Sequence, residues 1–174
     1  MTREKRLLLG FLALFILPIA LAQLAFMQGW LKGGPTTNKG ELLSPPLSAQ
    51  ALFADDHHWR LVYVMPAQCG AACRESLYIL GQAHLALGKE MARVQPLVLA
   101  QAPWPDGLEA AYPALNFRRL AATVPLSGDR IYIADPRGFV MLRYQPRAVR
   151  AESLLLGKDM LTDLKKLLKQ SQIG

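Results

Sequence analysis

Val62-Tyr-Val-Met-Pro-Ala-Gln-Cys-Gly-Ala-Ala-Cys-Arg-Glu-Ser76 reads as a buried strand, a tight loop and the first turn of a helix. Hydrophobic residues run up to Met65, Pro66 blocks further ladder pairing, and Gly70 gives the loop conformational freedom. From Ala71 the composition turns helical. Both cysteines of the chain, Cys69 and Cys73, lie in this stretch. The dipole and unpaired N–H groups of a helix N-terminus stabilise a thiolate, which activates a cysteine placed there. Residues four apart share a helix face with Cα atoms about 6 Å apart, within reach of a disulfide. The same spacing lets two sulfurs turn toward one soft ion such as Cu(I). The alternative is a static disulfide or two small buried residues.

Toward the N-terminus, Leu7 to Met27 is apolar apart from Gln23 and carries no charge. Its 21 residues suffice to cross a bilayer core as a helix. Arg3, Lys5 and Arg6 precede it against one acid, Glu4, so this end is expected to stay in the cytoplasm. Trp30 suits the far interface. A cleaved signal peptide ending near Ala20-Leu21-Ala22 is the competing reading, and it exports the domain equally. The expected organisation is a cytoplasmic stub over 1–6, a transmembrane helix over 7–28, an extended linker over 29–50 and an exported domain over 51–174. In a bacterial-type cell this is a single-pass inner-membrane protein with its domain in the periplasm. The net charge is +7, but the basic residues are scattered and not interleaved with aromatics, so the partners expected are membrane and protein, not nucleic acid.

Past the Gly- and Pro-rich 32–46 stretch, Gly40 to Pro46 is compatible with a short strand, and Leu47 to Phe53 with a helical turn. Trp59 to Met65 is the first clear strand. A helix is expected over Arg74–Arg93, with Leu77, Leu80, His84, Leu87 and Met91 as its stripe. Val94 to Ala100 fits a buried parallel strand reached by that crossover. Leu108 to Leu120 is ambiguous, with a short helix that Pro113 interrupts. Arg130–Ala134 and Phe139–Tyr144 form a hairpin around Asp135-Pro-Arg-Gly138. Leu154 to Gln172 is a helix buried through Leu161, Leu164, Leu167 and Leu168. The order predicts an α/β fold: a thioredoxin-like mixed sheet flanked by helices, preceded by one transmembrane helix.

Three features together, the anchor, Val-Tyr-Val-Met-Pro-Ala-Gln-Cys-Gly-Ala-Ala-Cys and Ile131-Tyr-Ile-Ala-Asp-Pro-Arg-Gly-Phe-Val140, resemble the SCO proteins. These are membrane-anchored, thioredoxin-like copper chaperones and thiol reductases of cytochrome c oxidase assembly. The resemblance implies a redox or Cu(I)-binding role for Cys69 and Cys73, and a respiratory oxidase subunit or another redox or copper protein as partner. The chain departs from the family at two places. Gly70 stands where Pro is usual, and Val124 to Arg130 contains no His, with Ser127 near the position of the family's third copper ligand. Met65 is soft enough to serve as a third donor. His57 and His58 belong at the opposite end of the sheet, and His84 reads as a satisfied core or boundary residue. Besides the SCO-like reading, a general exported thiol–disulfide oxidoreductase and a non-catalytic thioredoxin-like scaffold stay open.

Overall fold

The computed structural model describes residues 3–28, 37–53, 57–120 and 125–171. The chain divides into two units, 1–37 and 38–174. The first holds α1 (Arg3–Met27), long and apolar enough to span a membrane by length and composition, criteria that a signal sequence also meets. Pro18 lies inside it. The expectation for Trp30 falls outside the described residues.

The second unit is built on a six-stranded mixed sheet. Its strands are β1 (Glu41–Ser48), β2 (Trp59–Met65), β3 (Val94–Ala100), β4 (Asn116–Arg119), β5 (Arg130–Ala134) and β6 (Phe139–Tyr144), in the order β1-β6-β5-β2-β3-β4. Every residue of β2 is buried, as its unbroken apolar run requires of a central strand. It runs parallel to β3 from Trp59↔Val94 to Met65↔Ala100, and antiparallel to β5. The parallel pair demands a crossover, supplied by α3 (Ala71–Leu85) and a 3-10 turn over Gly88–Arg93.

Alternation along β2 separates two cores. Leu61, Tyr63 and Met65 join Cys73, Leu77 and Leu80 of α3 and Met160, Leu164 and Leu168 of α5 (Arg150–Gln170). Val62 and Val64 face the other way, with Leu97, Leu99, Leu120 and Leu126, and with Phe53 of α2 (Gln50–Phe53). The two long helices therefore share one face, while short α2 and loop residues cover the second.

Several boundaries differ from expectation. The helix predicted over Arg74–Arg93 starts at Ala71 and stops at Leu85, because Gly88 takes φ +59 and turns the chain into the 3-10 segment. Met91 is consequently exposed. The ambiguous 108–120 stretch contains α4 (Leu108–Ala111) and then β4, which extends the sheet parallel to β3. The strand compatible with Gly40–Pro46 forms and runs on to Ser48, inside the stretch read as linker. The hairpin turn is as expected. Gly138 N–H donates to the Asp135 carbonyl at 3.0 Å, and the Asp135 carboxylate accepts from the amides of Arg137 and Phe139. Gly138 has φ +87, and a Cβ there would lie 2.8 Å from Gln50 Cα, so glycine is required twice over.

Candidate functional site

The sheet positions the cysteines. Parallel register brings the end of β2 level with the end of β3, Pro66 stops the ladder, and residues 66–70 turn the chain into α3. Cys69 lies in that loop, half-buried, and Cys73 in the first helical turn, 1% exposed. They form a disulfide with Cα atoms 5.1 Å apart. The loop is held by backbone bonds, Gly70 N–H to Gln68 O and Arg74 N–H to Gly70 O, each 3.1 Å. Arg74 also donates from Nη1 to the Cys69 carbonyl at 3.3 Å.

Gly70 adopts φ −80, which any residue tolerates, and a Cβ there would meet nothing within 4 Å. Its expected conformational freedom is therefore not used. No side chain caps α3 and its first turn holds no acid, so the helix N-terminus points unneutralised donors toward the Cys69 loop. A thiolate on Cys69, once the disulfide opens, sits where that partial positive charge stabilises it. Cys73, the other sulfur of the bond, is buried in the first turn of α3.

Met65 ends β2, 6% exposed, in the same packed cluster as Cys73. Ser127 lies in the exposed loop before β5, where its backbone amide donates to the Tyr132 hydroxyl at 3.1 Å. Val124 falls outside the described residues. Asp129 directly precedes β5 with φ +53, a left-handed conformation that aspartate tolerates better than most residues. Its amide donates to the Val64 carbonyl at 2.7 Å, and the Tyr63 hydroxyl donates to its carboxylate at 3.2 Å. Burial pushes the Tyr63 phenol well above its usual range, and the Asp129 charge pushes it further.

His57 and His58 precede β2, so seven strand residues separate them from the cysteine loop, as expected. His84 Nε2 lies 2.9 Å from the Val94 carbonyl and 3.2 Å from that of Met91, which suits a boundary residue. Its buried Nδ1 has no partner among the described residues, so the expected satisfaction is met on one ring nitrogen only. Among the described residues no three His, Cys, Asp or Glu side chains gather as a metal-ligand group. The Tyr63–Asp129 contact cannot be read from the sequence, since 66 residues separate its partners and no local pattern links them.

The family described as transmembrane-like, thioredoxin-like, C-terminal domain matches residues 59–171, from the first residue of β2 to the residue that follows α5. The chain belongs to this thioredoxin-like family. No curated protein matches its sequence. Among solved structures, apo Sco1 from Thermus thermophilus is 18% identical with a TM-score of 0.49, over 78% of this chain and 99% of that one. Copper-bound ScoI of Arabidopsis thaliana is 13% identical with a TM-score of 0.49, over 73% and 98%. A bacterioferritin comigratory protein of Xanthomonas campestris, studied for alkyl peroxide reduction, is 16% identical with a TM-score of 0.43, over 74% and 98%.

Proposed function

We propose that this thioredoxin-like chain is a membrane-anchored, exported, SCO-like factor in cytochrome c oxidase biogenesis. It handles Cu(I) cargo, or the thiols of a copper site, through Cys69 and Cys73. The carrying observation is the Cys-x-x-x-Cys pair at a strand-to-helix junction, closed with Cα atoms 5.1 Å apart and only its first sulfur-bearing residue part-exposed. The anchor segment and the Asp135-Pro-Arg-Gly138 hairpin support the same reading.

As cargo, Cu(I) suits this donor set. Two thiolates hold it in a linear arrangement, and the Met65 thioether, four residues before Cys69, is the candidate third donor. Cu(II) prefers a tetragonal array with N and O ligands, which the 66–70 loop does not offer. Two Cu(II) ions instead take one electron each from the thiols of Cys69 and Cys73. The products are two Cu(I) ions, the disulfide and two protons released to solvent.

A second reading, a general exported thiol–disulfide oxidoreductase, is favoured by the absence of histidine from the 125–130 loop. Copper titration of the reduced chain under anaerobic conditions separates the two. The expected outcome is weak to moderate Cu(I) binding, and with Cu(II) only a transient charge-transfer band followed by loss of both thiols. A persistent stoichiometric Cu(II)–thiolate band would sink the two-sulfur account. Intact, accessible thiols that bind no Cu(I) would leave the oxidoreductase reading.

A further inference from the structure

Beside the cysteine loop lies a cleft of about 360 Å³ between the ends of β2 and β3 and the loop before β5, lined by Met65, Pro66, Ala67, Gln101, Ala102 and Gly128. Arginines stand on its margins. Arg119, last residue of β4, donates to the Gln101 carbonyl at 3.4 Å and lies 5.4 Å from the centre of the Trp104 ring. Arg130, two residues past Gly128, donates to the Asp129 carbonyl at 2.7 Å. Arg74 reaches the Cys69 carbonyl, and Arg118, exposed next to Arg119, takes the opposite face of the strand. None of these four forms an ion pair with a carboxylate among the described residues. The contacts of Arg74 and Arg119 are to backbone oxygens and an aromatic face, which leave their positive charge uncompensated, whereas Arg130 also acts on Glu41 and helps hold that carboxyl below its usual range. Of the nearby acids, Glu75 pairs with Arg150 and Glu41 with Arg143, whereas Asp129 accepts only from the neutral Tyr63 hydroxyl, and Asp106 and Glu109, after β3, form no ion pair among the described residues.

We infer that this cleft docks an acidic segment of a partner protein, one whose cysteines exchange with the Cys69–Cys73 pair. The inference rests on the thiol-handling reading of the pair and adds the class of its substrate. Arginine suits the task, because its planar fork recognises carboxylates in pairs while its stem packs on aromatics, as Arg119 does on Trp104. Charges spread around a concave site raise the local concentration of an oppositely charged partner and the rate of productive encounter.

The exchange balances with the partner's disulfide as oxidant. The Cys69 thiolate attacks one sulfur of the partner disulfide, the partner S–S bond breaks, and the leaving thiolate takes a proton. Cys73, its own proton lost to solvent, then attacks Cys69 in the mixed disulfide. The Cys69–Cys73 bond forms and the second partner thiolate departs to be protonated. Two electrons pass to the partner, and the reverse sequence takes them back.

The test uses the full chain, reduced, in a non-ionic detergent, against three small disulfides: anionic oxidised glutathione, cationic cystamine and neutral hydroxyethyl disulfide. Each rate is divided by that of the same disulfide with dithiothreitol, which removes intrinsic reactivity. The expected preference for the anion over the cation is about tenfold at low ionic strength, shrinking toward unity as salt screens it. Arg74→Glu combined with Arg119→Glu should abolish or invert the ratio. Arg137→Glu, the same charge change at the far end of the sheet in the hairpin turn, should leave it unmoved. A wild-type ratio near one, or an equal response to Arg137→Glu, overturns the docking of an acidic partner. Salt dependence in the wild-type chain decides the matter if the double variant does not fold. Failure to react with the neutral disulfide overturns instead the thiol-handling reading, and the inference with it.

Discussion

Tyr63 and Tyr144 each place a buried phenol against a carboxylate, Tyr63 on Asp129 at 3.2 Å and Tyr144 on Asp163 at 2.9 Å. In both, burial is the main cause that raises the phenol's pKa, and the neighbouring carboxylate adds to it. An unfolded tyrosine ionises near pH ~10. The folded chain keeps these protons to higher pH than the unfolded chain does. Their contribution to stability is therefore intact below about pH 10 and is lost as pH rises beyond it. We expect alkaline titration to show their ionisation as one cooperative step coincident with loss of far-ultraviolet dichroism. Tyr63→Phe with Tyr144→Phe should flatten the alkaline fall in stability. Independent ionisation of both phenols near pH ~10 in a chain that stays folded would contradict this. The two cysteines are legible at this scale because a strand, a proline stop and a four-residue spacing are local signals. The tyrosine pairs are not, because sheet register and helix docking bring their partners together across 66 and 19 residues.

At the scale of elements, the strands β2, β3, β5 and β6 can be read from apolar runs and turn residues, since burial dictates both. Strand β4 cannot. Asn116-Phe-Arg-Arg119 is an edge strand of four residues with two arginines, and only its pairing with β3 makes it a strand. Helix α5 shows the same limit. Asp159, Asp163, Lys165 and Lys166 look like a solvated face, yet Asp163 is fully buried. Its Oδ2 accepts from the amides of Lys39 and Gly40 at 2.8 and 2.9 Å and from the Tyr144 hydroxyl, tying the chain's entry into β1 to α5. Gly40 belongs to this clamp, since a Cβ there would lie 2.5 Å from the Tyr144 ring. Asp163→Ala leaves three buried or part-buried donors without their acceptor, a loss of about 3 kcal/mol. A lower urea midpoint is expected, with the amides of Lys39 and Gly40 the first to lose protection from exchange. Asp163→Asn keeps one acceptor oxygen and should recover part of the loss. Stability within about 0.5 kcal/mol of wild type for the alanine variant would show that the clamp is dispensable.

At the scale of the whole molecule, the sequence divides by solvent preference before any fold is considered. One segment is apolar on every side. Phe11, Phe15, Ile19 and Phe26 of α1 are all exposed, a distribution that water does not favour on a lone helix. The rest buries its apolar residues around a sheet. The orientation proposed for this segment rests on charge rather than on shape. Arg3 and Lys5 stand at the start of α1 against Glu4, and in the proposed topology this cationic flank stays on the cytoplasmic side. The function proposed for Cys69 and Cys73 depends on the outcome, because a disulfide-forming pair persists in an exported compartment and is kept reduced in the cytoplasm. A phosphatase that folds only outside the cytoplasm, fused after Gly174, is therefore expected to be active. A fluorescent protein that matures only inside it should stay dark at the same site. Replacing Arg3, Lys5 and Arg6 by glutamate should reduce the phosphatase signal, since the bias that orients the span has been removed. The opposite pattern, a dark phosphatase and a bright fluorescent fusion in the unaltered chain, would place the cysteines in a reducing compartment and remove the setting in which their exchange with an exported partner makes sense.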